Sequence, residues 1–312
     1  KIIEIKRSRT LFSIFEILKI LKSFSTNEKV IFFSNQNFAN IVSFIILYKF
    51  KDIKHVIFER NHIDELNISE NIFDNLKKKI IKLLIKILYK KANLILGNAK
   101  KLSGDLSKFT KTNVETIYNP AFDKNIISLS KKKINQYSNK KIILNVGRLE
   151  KQKDQLTILK AIRNIDNIFL IIIGYGSKKK ELINYINKNK LKNKVQILDK
   201  VTNPYPYFKI SDLFILSSLY EGFPNVLTEA IMFKLPIISS DCNSGPSEIL
   251  MQKKGPQIFE KKNFKELEHK IKNFFINKKK IKKRTKYLYL KLDRFKKKLI
   301  IKKYDKIFTE LF

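Results

Sequence analysis

The 312-residue sequence has a single cysteine, Cys242, which excludes an intramolecular disulfide and fits a reducing compartment. No apolar run reaches the roughly 20 residues that a membrane-spanning helix needs. No signal peptide is recognisable. Acids are scarce: 28 Asp and Glu stand against 65 Lys and Arg, a formal net charge of +37. Such an excess points first to nucleic acid or an anionic membrane. Nucleic-acid binding, however, calls for clustered basic residues interleaved with aromatics, and here the lysines are spread along the whole chain. A surface that takes lysine wherever it is tolerated accounts for most of them, and no nucleic-acid partner is expected. The chain starts at Lys1 rather than Met, so the expectation is a fragment without its natural start.

With 44% hydrophobic residues, the chain is long enough for two domains with real cores. It is organised around Leu213 to Glu248, LFILSSLYEGFPNVLTEAIMFKLPIISSDCNSGPSE. Leu213 to Leu216 reads as a buried strand, broken by Ser217, Ser218 and Gly222. Pro224 stands where a helix can begin, and Val226, Leu227, Ala230 and Ile231 keep helical spacing. Pro236 to Ser239 is a second buried strand. The result is a βαβ unit whose loops fall at the carboxyl ends of the strands, where parallel sheets bind ligands. Glu221 lies in the loop and Glu229 on the helix, eight residues apart. Carboxylates accept hydrogen bonds in pairs, which suits vicinal hydroxyls. The amides of Gly222, Phe223, Asn225 and Val226 gather at the helix start, an anion-binding arrangement. Spacing alone would leave both acids as ordinary solvated side chains.

The wording decides otherwise. YEGFPNVLTEA, preceded by NPYPYFKISDLFILSS and followed by PIISSDCNSGPSEIL, resembles family 4 (GT4) of the nucleotide-sugar-dependent glycosyltransferases. Glu221 and Glu229 match that family's paired-glutamate motif. The resemblance is dense from about Lys141 to Leu250 and weaker elsewhere. It implies an α/β GT-B fold: two Rossmann-like domains with parallel sheets facing a cleft. The expected divisions are 1–135 for an acceptor-side domain lacking its first strands, 136–290 for the nucleotide-sugar domain, and 291–312 for a helix crossing back.

Along the chain, strands are expected at Lys1–Lys6, Lys29–Ser34, His55–Glu59, Ala92–Leu96 and Val114–Tyr118, alternating with helices at Leu11–Lys22 and Asn40–Tyr48. Glu59-Arg60-Asn61 and Ile117-Tyr118-Asn119-Pro120 match phrases common in the family's first domain, whose glycine-rich opening loop is absent here. Arg60, Asn61 and His62 are the acceptor-side candidates, and His62 fits a surface-loop role as well as a catalytic one. Ser128 to Lys141 is polar and aperiodic and reads as a linker.

Ile142 to Val146 is a strand running into Gly147-Arg148-Leu149-Glu150-Lys151-Gln152-Lys153-Asp154. By resemblance, Gly147, Arg148 and Lys153 bind the donor diphosphate. The chemistry agrees: Arg148 offers a planar fork of donors and Lys153 a point charge. Further strands fall at Phe169–Ile173, ending in Gly174-Tyr175-Gly176, and at Val195–Leu198. Asn203 to Phe208 reads as a short packed turn, and by resemblance Val201 just before it contacts the base. From Asn263 the pattern is helical and basic, with Tyr304, Ile307, Phe308 and Leu311 on one apolar face.

The resemblance implies a retaining, metal-independent transfer of a hexosyl-type sugar, and the sequence has no Asp-x-Asp motif for a divalent ion. No metal site and no cofactor is expected; a UDP- or GDP-sugar is the co-substrate. Glu221 is assigned to donor-sugar hydroxyls and Glu229 to ribose hydroxyls. Glu221, Arg148 and Lys153 form the catalytic set, with Gly222, Phe223, Pro224, Asn225 and Val226 completing the donor site. The acceptor would be a glycan or a lipid-linked sugar in cell-surface polysaccharide synthesis. A sugar-nucleotide 2-epimerase shares the fold and is the nearest alternative; a basic nucleic-acid-binding protein is the more distant one. Leu76 to Ala92, LKKKIIKLLIKILYKKA, sets Ile80, Ile81, Leu83, Leu84, Ile87 and Leu88 at helical spacing among lysines 77, 78, 79, 82, 86, 90 and 91. Such a helix serves either to cover a sheet or to dock on an anionic membrane. The corresponding location is cytoplasmic, with peripheral attachment to the inner face of the cytoplasmic membrane as the second reading.

Overall fold

The structure is a computed structural model that describes residues 5, 10–24, 28–131, 134, 137, 140–199 and 201–312, with backbone only at Thr10 and Leu11. The strand expected at Lys1–Lys6 lies outside the described residues except for Ile5. The chain parts into two compact units: Lys1–Tyr118 with Lys302–Phe312, and Asn119–Ile301.

The first unit holds a parallel sheet in the order β1-β2-β3-β4: Ile31–Asn35, Lys54–Glu59, Leu94–Gly97 and Glu115–Thr116. The last strand is shorter than the expected Val114–Tyr118, because only Glu115 and Thr116 pair with Leu96 and Gly97. Helices α1 (Ile14–Lys22), α2 (Asn37–Ile46), α3 (Ile72–Leu88) and α4 (Lys100–Thr110) accompany the strands. Helix α3 starts earlier than the lysine-rich run, because the Asn71 side chain accepts from the Asp74 amide at 2.8 Å and caps it there. Ile41, Ile57, Ile85, Tyr89, Ile95 and Leu106 form one core of this unit. Near the chain's end, Tyr304 and Phe308 set their rings edge-on to Phe33 of β1, at 6.4 and 6.0 Å.

The second unit holds six parallel strands: β5 (Lys141–Val146), β6 (Ile168–Ile173), β7 (Val195–Leu198), β8 (Leu213–Leu216), β9 (Ile237–Ser240) and β10 (Ile258–Phe259). Their order is β10-β9-β8-β5-β6-β7, so the chain winds outward from β5 in one direction and then from β8 in the other. β6 and β8 are unbroken apolar runs, as strands covered on both faces are, whereas β5 carries Asn145, the edge strand β7 Gln196 and β9 Ser239 and Ser240. The helices are α5 (Asn125–Leu129), α6 (Gln155–Ile162), α7 (Lys179–Lys188), α8 (Tyr205–Ile210), α9 (Asn225–Met232), α10 (Pro246–Ile249), α11 (Phe264–Ile276), α12 (Lys278–Leu290) and α13 (Lys297–Thr309), the last ending among residues of the first unit.

Two readings of the sequence change here. Tyr205–Ile210 is a helix rather than a turn: Pro204 precedes its first turn, and the Phe208 ring stacks on Phe214 of β8 at 5.7 Å. The unit limits also differ from 135/136 and 290/291. Residues from Asn119 are held within the second unit, where the Phe122 amide donates to the Phe295 carbonyl at 3.1 Å and Thr228 Oγ1 donates to the Ala121 carbonyl at 3.1 Å. Part of the expected linker is docked too, since Tyr137 is buried beside Phe169 with its hydroxyl on Gln196.

Candidate functional site

In the second unit the strand order reverses between β5 and β8. Loops leaving the carboxyl ends of two such strands diverge and open a crevice, the usual ligand position in open α/β sheets. The loop after β5 carries Gly147 to Asp154, and the loop after β8 carries Ser217 to Pro224. Both expected sets of donor residues therefore converge on this switch point.

The two loops are laced together. Lys153 Nζ lies 2.5 Å from Glu221 Oε1, and Ser218 Oγ donates to the same oxygen at 2.6 Å. Glu221 is buried and Lys153 half-buried. Ser217 Oγ donates to the Lys153 carbonyl at 2.7 Å, and the Gln152 side chain donates to the Tyr220 carbonyl at 3.0 Å. Arg148 is exposed, and its Nη2 donates to Gln152 Oε1 at 3.3 Å. Gly147 faces the stem of Lys153, where an added Cβ would sit in ordinary contact.

Two glycines let other loops close in. A Cβ on Gly174 would fall 1.9 Å from the Gly147 carbonyl oxygen, so only glycine permits the β6 loop to press on the β5 loop. Gly245, at φ +85°, would set a Cβ 2.2 Å from the Gly222 carbonyl oxygen. The Ser244 hydroxyl donates to that same oxygen at 3.3 Å, fixing the entry to α9. Phe223 is buried edge-on to Phe295 at 4.9 Å, while Asn225 is exposed with its Oδ1 accepting from Asn119 at 2.8 Å.

Glu229 stands in the second turn of α9, with no hydrogen bond to its carboxylate among the described residues. Burial pushes its pKa up to about 7, because the charged form has lost water without gaining a partner. A desolvated carboxylate of this kind is suited to accepting hydroxyl donors from a ligand. Val201 lies between β7 and α8, half-buried. In the first unit Arg60 is exposed at the end of β2 and Asn61 donates to Glu65 at 3.1 Å. His62 is buried, its Nε2 bound to Asp105 at 2.9 Å and its Nδ1 accepting from the Asp64 amide at 3.2 Å. Both ring nitrogens are engaged, which suits a cap for the turn Ile63–Asn67.

The sequence alone assigns Gln152 and Ser218 no role in the site and leaves Lys153 and Glu221 as separate contacts. The only signal for Gln152 was its place inside an already marked loop; a hydrogen bond across 68 residues leaves no local pattern. Among the described residues, no group of three or more His, Cys, Asp or Glu could hold a metal ion.

The family described as "Glycosyl transferases group 1" matches residues 127–290, just over half of the chain. A Methanocaldococcus jannaschii protein described as an uncharacterized glycosyltransferase is 32% identical over 252 residues, covering 76% of this chain and 61% of that protein. A Campylobacter jejuni N-acetylgalactosamine-N,N'-diacetylbacillosaminyl-diphospho-undecaprenol 4-alpha-N-acetylgalactosaminyltransferase is 34% identical over 181 residues, 56% of this chain and 49% of that enzyme. The chain thus spans about half to three fifths of the length of these relatives. Anabaena HepE, solved in complex with UDP-glucose, superposes with a TM-score of 0.79 at 17% identity, over 95% of this chain and 82% of that one. Sucrose-phosphate synthase from Thermosynechococcus elongatus does so with a TM-score of 0.84 at 13% identity, over 99% and 80%. With its parallel sheets and its switch-point loops, the chain belongs to the glycosyl transferases of group 1 and has the GT-B fold.

Proposed function

We propose that the protein is a retaining glycosyltransferase that moves a hexosyl-type sugar from a UDP- or GDP-sugar to a glycan or lipid-linked acceptor in cell-surface polysaccharide synthesis. The observation that carries this reading is the Lys153–Glu221 pair held between the β5 and β8 loops, beside the first turn of α9. Arg148 and Lys153 offset the charge that develops on the departing diphosphate, and the amides at the start of α9 add to them. Glu221 accepts from donor-sugar hydroxyls and Glu229 from ribose hydroxyls. Transfer is independent of a divalent metal, because these cations take the part a metal would play. The first unit serves the acceptor, through Arg60 and Asn61, and meets an anionic membrane at the inner face of the cytoplasmic membrane through residues 76–92. The homologous transferase of Campylobacter jejuni is named for a diphospho-undecaprenol-linked acceptor, which supports the lipid-linked alternative.

Glu221→Gln should lower sugar transfer by about a hundredfold or more, because an interaction used in the transition state is lost, while nucleoside diphosphate binding falls far less. Transfer from a radiolabelled donor panel, with and without EDTA, checks this. Wild-type turnover in the variant would place the sugar site elsewhere, and loss of turnover in EDTA would remove the metal-independent mechanism.

A further inference from the structure

Helix α3 has two apolar faces where a sheet-covering helix needs one. Ile81, Leu84, Ile85 and Leu88 pack into the core of the first unit. Beside that face Ile72, Phe73, Leu76, Ile80, Leu83 and Ile87 are between 49% and 85% exposed. At about 100° per residue these six fall within a stripe roughly 100° wide. Exposed Lys79, Lys86 and Lys90 border the stripe on one side and exposed Lys77 on the other, the last with its ammonium 5.9 Å from the centre of the Phe38 ring. Lys78 and Lys82 are turned to other work: Lys78 donates to the Ile68 carbonyl at 2.6 Å and to Asp74 at 2.9 Å, and Lys82 to Asn67 at 2.5 Å. The only acid of the helix, Asp74, is already paired with Lys78.

We propose that the outward stripe of α3 docks the first unit on an anionic bilayer, with Phe73, Leu76, Ile80, Leu83 and Ile87 sinking into the acyl boundary and Lys77, Lys79, Lys86 and Lys90 meeting lipid phosphates. This rests on the membrane part of the function proposed above and narrows it to one helix face. Charge selects the occupant. The 73-76-80-83-87 spacing would also serve as a coiled-coil seam, but a second copy would set Lys79 and Lys86 against lysines with no acid to answer them. A nucleic acid would satisfy the lysines and leave the apolar stripe in water. An anionic bilayer satisfies both. A cavity of about 670 Å³ adjoins the end of the helix, walled by Ile45, Tyr48, Phe50 and Leu88 with Lys51 and Lys91, an apolar space rimmed by cations that also suits lipid. Among the described residues no helix is long and apolar enough to cross a membrane, so the contact is peripheral.

The full chain, without donor or acceptor, is sedimented with vesicles of phosphatidylcholine or of phosphatidylcholine with phosphatidylglycerol, at low and high salt. Binding to the anionic vesicles alone, weakened by salt, is expected. Combining Lys77→Gln, Lys79→Gln, Lys86→Gln and Lys90→Gln should reduce partitioning by about 600-fold, at roughly fivefold per lysine. Leu83→Ser with Ile87→Ser should reduce it strongly at unchanged charge. The chain has no tryptophan, so Leu83→Trp supplies a single probe whose emission should shift to the blue on anionic vesicles only. Recovery in the supernatant with both vesicle types, or an unshifted tryptophan, would overturn the proposal. So would serine variants that bind like wild type, which would mean attraction to any polyanion, or a dimer that Leu83→Ser dissociates. Donor titration of the same samples keeps a failure of membrane docking distinct from a failure of the transferase reading.

Discussion

Lys153→Ala should destabilise the protein by about 3 kcal/mol, because removing one partner of a buried ion pair strands the other. Glu221 would keep only the Ser218 hydroxyl in a buried position. Lys153→Ala should also weaken nucleoside diphosphate binding by at least about tenfold, the worth of a charge-assisted contact. The two effects separate in a double variant. Adding Glu221→Gln to Lys153→Ala removes the stranded charge, so most of the stability should return while diphosphate affinity stays low. Urea denaturation and titration of the four proteins in this cycle give both quantities. A Lys153→Ala protein as stable as wild type, or a double variant that regains diphosphate binding, would show that the pair is not what joins the two loops.

The second large effect is in the first unit. Glu59 ends β2 fully buried, accepting from Asn40 at 2.9 Å and from the Tyr89 hydroxyl. Burial raises its pKa from 4.5 to about 7, against the opposing pull of those two hydrogen bonds. The folded state therefore holds a proton that the unfolded state has lost, and stability falls as the pH rises from the unfolded value through about 7. Glu59→Gln keeps an acceptor for Asn40 and Tyr89 and removes the titration. Its stability relative to wild type should grow by about 2 kcal/mol between about pH 5.5 and about pH 8. Glu229 titrates in the same range in both proteins and cancels from the difference. A pH-independent difference would mean that Glu59 is ionised throughout.

The strands of the second unit were legible where a parallel sheet buries both faces: Leu213–Leu216 begins and ends where its apolar run does, and the edge strand Val195–Leu198 is marked by three apolar residues around Gln196. Helix α8 was hidden because two prolines and three aromatics in eight residues look like a turn, while stacking of Phe208 on Phe214 and Phe233 favours a helix. The site was legible one loop at a time. Glu221, Arg148 and Lys153 were named, but the pairing of Lys153 with Glu221 depends on which strands adjoin, a matter of sheet order rather than of local pattern. The lysine-rich helix shows the same limit. Its sequence lists apolar residues without saying which face the core takes, and the structure divides them into Ile81, Leu84, Ile85 and Leu88 within and Ile80, Leu83 and Ile87 without.

The central claim is that the second unit holds a nucleotide diphospho-sugar with Glu229 on the ribose. Calorimetric titration of UDP- and GDP-sugars, whose diphosphate esters do not titrate near neutrality, tests it most directly at about pH 8 and about pH 6. Wild-type protein should bind one class of sugar nucleotide with one site per chain, and up to about tenfold more weakly at the lower pH, where the Glu229 carboxyl with its pKa of about 7 is mostly protonated. Glu229→Gln should bind weakly at both and lose the pH dependence. Binding of no sugar nucleotide by the wild type, or affinity in Glu229→Gln that equals wild type and follows the same pH course, would contradict the account.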